Sequence, residues 1–334
     1  MPAGVYGFGI KYNLCLRESS ITWILEKTIK QHLSFAGFLI TLTGAILFST
    51  KAIIVKLAFA HTPIDALTLL TLRMIFSLPF YLVAAWIGSS RKGVKRFSRK
   101  QWISIVSLGL FGYYLSSLFD FVGLQYISAG LERLILFLYP TFALLINAIL
   151  FKEKVSAVQQ LALLLTYAGI ALAYFGELRM AAPNPDFFLG SFLIFLCAIT
   201  YASYIVGSGR VIPQVGVTKF TAYAMLASTT GVFLHFAIAG KISNLEQLGT
   251  YWWYGLLLAV IATVIPTFLL SIGMKKIGSN NVAIISGIGP VSTILQANLI
   301  LKEKIFTAQI AGTILVVAGV LLIGWKTRKN LEPT

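Results

Sequence analysis

Stretches of about twenty mostly apolar residues recur ten times along this chain, and each is long enough as an α-helix to cross the roughly 30 Å hydrocarbon core of a bilayer. They cover residues 35–59, 65–88, 101–121, 124–150, 156–176, 187–208, 218–240, 251–274, 279–301 and 305–325. Links such as His61-Thr62-Pro63-Ile64 are so short that neighbouring spans must form antiparallel hairpins. Of the 334 residues 57% are apolar and only 11% charged, too few polar groups to cover a soluble core. That excludes a disordered chain, a collagen-like repeat and an ordinary cytosolic enzyme. Two cysteines exclude a disulfide scaffold. No ten-residue alternating pattern marks a β-barrel. The expected fold is all-α and membrane-embedded, with ten transmembrane helices.

The net charge of +16 would point to nucleic acid in a soluble protein. Here it has a different reading, because Lys and Arg accumulate in the cytoplasmic loops of membrane proteins. With the N-terminus inside, nineteen Lys and Arg residues fall on the cytoplasmic side and four on the other, namely Arg179, Lys241, Lys302 and Lys304. Both termini are therefore expected in the cytoplasm, and no nucleic-acid partner is expected. Residues 1–34 are interrupted by Lys11, Arg17, Glu18, Glu26, Lys27 and Lys30, so they do not read as a signal peptide. Ile21, Leu25 and Ile29 stand at helical spacing, which suits an interfacial helix or, equally, a partly ordered tail. Residues 326–334 read as a cytoplasmic tail.

The chain repeats itself. Residues 123–175 slide onto 273–325 without a gap at an offset of 150, with 13 of 53 positions identical. Pro140 meets Pro290, Lys152-Glu153-Lys154 meets Lys302-Glu303-Lys304, and Ala168-Gly169 meets Ala318-Gly319. The half-starts match more weakly at an offset of 153, Gly37 on Gly190 and Ala45 on Ala198. Two five-span halves follow, 35–176 and 187–325. Five is odd, so the second half enters the membrane upside down. Inverted repeats are the architecture of secondary transporters, with the substrate between the halves near the midplane.

Two five-helix halves, each with a Pro-centred fourth helix, a Glu at its end and a Gly in the fifth, resemble the EamA-type transporters of the drug/metabolite transporter superfamily. Pro140, Glu153, Gly169, Pro290, Glu303, Gly319 and Leu72-Arg73 carry the likeness, which covers residues 36–325. The resemblance implies a ten-helix permease of the bacterial inner membrane. It is most often an exporter of amino acids, other metabolites or drugs, and it has a central cavity between its halves. It does not imply a substrate.

Ionisable residues inside spans are costly and count as functional candidates. Lys51, Arg73 and Glu132 each lie about 12 Å from the outer face by helical rise, and so form one candidate cluster. Tyr113, Ser116, Ser117 and Asp120 make a polar stripe on span 3 that faces a cavity or a partner helix. Asp120 could reach Arg73 or Arg133, though its depth is nearer the rim, while Lys56 stands close enough to a span end to snorkel. The second half lacks these charges: Glu132 meets Val282, Arg133 meets Ala283 and Asp120 meets Leu270. Its polar candidates are Tyr201, Tyr204, His235, Asn281 and Ser286. Tyrosine also serves as an interface anchor, and a lone histidine is more often packed than a proton relay. Pro140 and Pro290 each interrupt a helix, and Gly287 and Gly289 weaken the ninth span further, so these four are candidate hinges or static kinks.

Lys51 and Arg73 are expected to receive an anionic or zwitterionic metabolite, with Glu132 holding Arg73 or an incoming ammonium; alternatively the three only neutralise one another. Neither a metal nor any cofactor is expected: there is no His-Glu-x-x-His or Walker motif, and the three histidines and two cysteines are scattered. Lipid and a small solute are the expected partners, and the chain is a monomer or homodimer. An importer of the same architecture, a non-transporting scaffold and a membrane-embedded enzyme are the rival readings, the last two disfavoured by the repeat. A periplasm-only reporter enzyme fused after Thr334 should be inactive; activity there would overturn both the orientation and the even span count.

Overall fold

The computed structural model describes residues 8–90, 97–152, 157–180, 185–240 and 248–329. Side chains are described from Phe35 onward, apart from residues 151, 180, 248–250, 271, 274, 275, 278–281, 283, 284, 320 and 323–329. Among the described residues there is helix and no strand. We number the helices α1 (Phe8–His61), α2 (Ala66–Ser89), α3 (Arg99–Gly123), α4 (Ala129–Leu136 continued by Tyr139–Phe151) and α5 (Ala157–Met180). The rest are α6 (Phe187–Val215), α7 (Val217–Ala239), α8 (Leu248–Ala259 continued through Ile265–Ser286), α9 (Ile288–Gln296 continued through Ala297–Leu301) and α10 (Thr307–Lys329). Eight of these are long and apolar enough to cross a membrane, and two shorter apolar segments, Ile288–Leu301 and Thr307–Gly319, accompany them. The N-terminal helix runs without a break into the first span.

Two local features depart from the sequence expectation. The eighth span does not stop near residue 274 but continues to Ser286. In the first half, Ser128 ends the turn after α3 and caps α4, its hydroxyl accepting from the Leu131 amide at 3.0 Å. The position equivalent to Ser128 is Gly278, which has no side chain to cap a new helix. The break falls instead at Gly287. Pro140, similarly, does not kink a continuous helix. α4 breaks at Phe137–Leu138, and Pro140 sits in the first turn of the segment that follows, where its missing N–H has no partner to lose. Pro290 occupies the first turn of α9 in the same way.

The helices pair across the two halves. α1 packs on α8, α3 on α6, α2 on α7 and α5 on α10. Along α1 and α8, Gly37 lies against Ile277, Thr41 against Gly273 and Gly44 against Leu269, so the two run antiparallel. Along α3 and α6, Gly190 lies against Ile127 and Gly123 against Ile194. At the offsets of 153 and 150, Gly37–Ile277 becomes Gly190–Ile127, and Thr41–Gly273 becomes Ile194–Gly123. The same contact is thus made twice. Irregular backbone is duplicated too. α3 is π-helical over Gly109–Leu115 and α8 over Val260–Val264. Among the described residues the non-glycine positions with positive φ are Lys152, at 54°, and its twin Lys302, at 58°. They end α4 and α9 in the left-handed conformation that closes many helices.

In a bilayer, helices gain little from hiding apolar surface from one another, so close backbone approach supplies the packing. α5 and α10 show this: a Cβ built on Gly169 would stand 2.5 Å from the Gly312 carbonyl oxygen. Gly209, on an exposed face of α6, has nothing within 4 Å of where its Cβ would be. Gly169→Ala should therefore destabilise the protein by about 1–3 kcal/mol through overpacking. Gly209→Ala should be neutral or stabilising, by up to about 1 kcal/mol of helix propensity. Thermal unfolding of both purified variants checks this, and equal melting temperatures would count against the tight α5–α10 contact.

Candidate functional site

A cavity of about 260 Å³ lies where α1, α2, α3, α4, α6 and α8 meet. Of the residues singled out from sequence, Lys51, Arg73, Tyr113, Ser117, Asp120, Arg133, Tyr201 and Ser286 line it. The stripe on α3 faces it as a unit, Ser116 included, with the Ser116 hydroxyl bonded to the Gly112 carbonyl. Three candidates lie elsewhere. Glu132 is fully buried behind Lys51. Tyr204 packs its ring 4.9 Å from that of Tyr113, just outside the lining. His235 pairs with the Tyr114 hydroxyl at 3.0 Å, a packed position on α7. The side chain of Asn281 lies outside the described residues.

The charges sort themselves differently from the expectation. Lys51 Nζ lies 2.7 Å from Asp120 Oδ2 and 3.8 Å from Glu132 Oε1, so one ammonium serves both carboxylates. Arg73 turns away from Glu132 and donates from Nη2 to Ser117 Oγ at 2.9 Å, its guanidinium 5.0 Å from the Phe121 ring centre. Arg133 lies 5.4 Å from the Phe48 ring centre, and Lys51 5.7 Å from the same ring. A Cβ on Gly289 would sit 2.6 Å from Arg133 Nη2, so this glycine makes room for the guanidinium against α9. Its carbonyl accepts from Ser49 Oγ at 3.3 Å. All five charged side chains are buried. Three cations thus face two carboxylates. The Nε groups of both arginines have no hydrogen-bond partner among the described residues.

The opposite wall is aromatic. Tyr139 and Tyr201 meet edge to face at 5.0 Å, and Tyr201 stacks with Tyr204 at 6.1 Å. Sequence reasoning missed Phe48, Tyr139, Cys197, Thr263 and Thr267 among the lining residues. The repeat held the signal for the two threonines: at the offset of 150 Thr263 is the twin of Tyr113 and Thr267 the twin of Ser117. Gly112 with Ala262, Asp120 with Leu270, Leu136 with Ser286, and, at 153, Phe48 with Tyr201 complete six twin pairs that all line the cavity. The cavity is therefore bordered by equivalent positions of both halves.

Two further charges, the half-buried Lys56 and the buried Glu177, differ from the sequence expectation or were absent from it. Lys56 does not snorkel to water: its ammonium donates to the Leu124 and Ile127 carbonyls at 3.1 and 3.0 Å. Glu177, in the last turn of α5, accepts from Ser128 Oγ at 2.7 Å and from the Ser128 amide at 3.2 Å. It stands one residue beyond the apolar stretch 156–176, and the continuation of the helix to Met180 is what brings it inside. Asp65, at the mouth of the second span, caps α2 by accepting from the Thr68 amide at 2.9 Å.

Residues 35–175 and 188–325 each match the EamA-like transporter family. The chain is 30% identical over 316 residues to the uncharacterized transporter YcbK of Bacillus subtilis (strain 168), covering 91% of this chain and 99% of that one. An uncharacterized transporter of Archaeoglobus fulgidus is 23% identical over 238 residues, 69% of this chain and 80% of its own length. A crystal structure of a protein shares the fold, with a TM-score of 0.63 at 19% identity over 89% of this chain and 99% of that one. A chain whose two halves each match one family, and whose apolar helices enclose a charged cavity, belongs to the EamA-like transporter family of the drug/metabolite transporter superfamily and is a multi-pass membrane transporter.

Proposed function

We propose that this transporter is a secondary-active carrier that exports a small organic anion, amino acids and related metabolites being the nearest class. In this reading two inverted repeats, 35–176 and 187–325, alternate access to the central cavity. The observation that carries it is the charge imbalance there: three cations face two carboxylates, Lys51 lies against both of these, and the Nε groups of Arg73 and Arg133 have no hydrogen-bond partner among the described residues. A substrate carboxylate or phosphate would supply the missing acceptors, in the planar bidentate geometry that guanidinium favours. An ammonium would find only Asp120 on the lining, already 2.7 Å from Lys51, so the anion is favoured over the zwitterion. The tyrosine wall suits the apolar body of such a solute.

The inverted arrangement is supported by the doubled contacts, the twin π-helical segments and the twin left-handed lysines. A packing scheme in which α1 meets α8 while α3 meets α6 is the one that exchanging the halves leaves unchanged. The excess of Lys and Arg on one side supports cytoplasmic termini in a bacterial inner membrane. Export follows the direction that the family likeness implies.

Proteoliposomes preloaded with a panel of carboxylates and phosphate esters should show saturable counterflow for at least one of them; exchange confined to cations would overturn the reading. Arg133→Lys and Arg73→Lys should weaken apparent affinity by about 10- to 100-fold, the worth of one or two hydrogen bonds to a charged group, in protein that purifies normally. Lys51→Met should act on the fold instead, at a cost of about 3–5 kcal/mol, because Asp120 and Glu132 lose their shared counter-charge. A stable Lys51→Met protein with selectively lost anion affinity would reverse those assignments.

A further inference from the structure

The turn between α3 and α4 is held from three directions by charged side chains that the cavity does not use. α3 ends there at Gly123, the negative end of a helix dipole, and Lys56 of α1 donates to two carbonyls just past that end, those of the capping residue Leu124 and of Ile127. α4 begins there with free amides, the positive end of its dipole, and two carboxylates meet them. Glu177 of α5 takes the Ser128 amide and hydroxyl. Glu303, which follows α9 in the other half of the chain, takes the Ala129 amide at 3.1 Å. Each sign of charge thus sits at the helix end that attracts it.

Glu303 reaches this position because the chain is turned for it. Lys302 is in the left-handed conformation, the Glu303 amide donates back to the Ala297 carbonyl at 3.2 Å, and Asn298 Nδ2 donates to the Glu303 carbonyl at 2.9 Å. The carboxylate is the cap that crosses from the second half to the first. One turn further along α4 come Glu132 and Arg133, the first against Lys51 and the second on the cavity wall.

We propose that Glu303 is a detachable cap. Bound to the head of α4, with Glu177 and Lys56 beside it, it holds the two halves together and seals the cavity on the face that carries His61 and Ser128; its release frees α4 to swing and opens that face. The inference rests on the alternating-access reading for its purpose, but the contact and its test need no substrate. Swapping halves does not reproduce the device. Lys56 becomes Gly209, which stands in open space, Ser128 becomes Gly278 and Glu177 becomes Thr327. Of the four residues only Glu303 keeps its chemistry, in Glu153. The latch belongs to one face of the carrier.

The native Cys197 lines the cavity and is buried, so it reports access to it. In full-length protein carrying Cys15→Ser, reconstituted in sealed vesicles of known orientation, a membrane-impermeant sulfonate thiol reagent is added on the Ser128 face. Parent protein should label slowly from that face. Glu303→Ala should label at least tenfold faster, and Glu303→Gln, which keeps an acceptor for the Ala129 amide, should lie between. Lys56→Met should also speed labelling. Labelling from the opposite face and the melting temperature separate an opened gate from a damaged fold. Unchanged labelling in Glu303→Ala and Lys56→Met, or a parent already labelled rapidly from the Ser128 face, would refute the latch. A labelling result as expected in a protein that exchanges no solute would leave the latch standing and remove the transport reading instead.

Discussion

Backbone polarity is the constraint that governs this molecule. Inside hydrocarbon an N–H or C=O without a partner costs several kcal/mol, so a chain that interrupts a helix at membrane depth must supply partners from elsewhere. Each break here is answered. The turn after α3 is met by Lys56, Glu177 and Glu303. The π-helical stretch of α8 is stitched by Thr263, whose hydroxyl reaches back five residues to the Leu258 carbonyl at 2.8 Å. The break in α4 and the one between α8 and α9 are followed by Pro140 and Pro290, which place a residue without an N–H where no acceptor is available. The polar side chains that stitch the backbone are also those that set where helices can bend.

The cavity charges obey the same economy of partners. Burying five ionisable side chains together is tolerable only if most of them neutralise one another. Lys51 does this for Asp120 and Glu132 at once, and Arg73 is partly satisfied by Ser117 and by the face of Phe121. Arg133 depends on Phe48 and on the absence of a side chain at Gly289. Gly289, which sequence alone offered as a hinge, therefore has a second task as the space into which a cation from the other half fits.

Much of the fold could be read from the chain because apolar length and helical periodicity report directly on membrane helices. The repeat was legible for a similar reason: packing positions such as Gly123, Gly169 and Pro140 must be reproduced for the same contacts to form twice. The common depth of Lys51 and Glu132 followed from rise per residue, and they do meet, at 3.8 Å. Pairing within the cluster was not legible. Asp120, placed nearer the rim by counting, is the closest partner of Lys51, whereas Arg73 takes a serine. Rotation about the helix axis decides such pairings, and a linear count of residues does not carry it. The continuation of α8 to Ser286 escaped because the sequence marks helix ends by what caps them, and Gly278 merely lacks a cap.

Comparing the halves explains why symmetry was informative about architecture and silent about chemistry. Contacts made by backbone and small residues recur: Gly37 against Ile277 and Gly190 against Ile127 are one contact used twice. Apart from the Lys-Glu-Lys at the ends of α4 and α9, the charged groups do not recur. Asp120 faces its twin Leu270 across the same cavity, Lys51 has Tyr204 as its twin, and Lys56 has Gly209. A scaffold that must present the same packing in two orientations constrains its glycines in pairs. A buried charge is constrained by its own counter-charges, and duplicating the set would place ten ionisable groups around a volume of about 260 Å³.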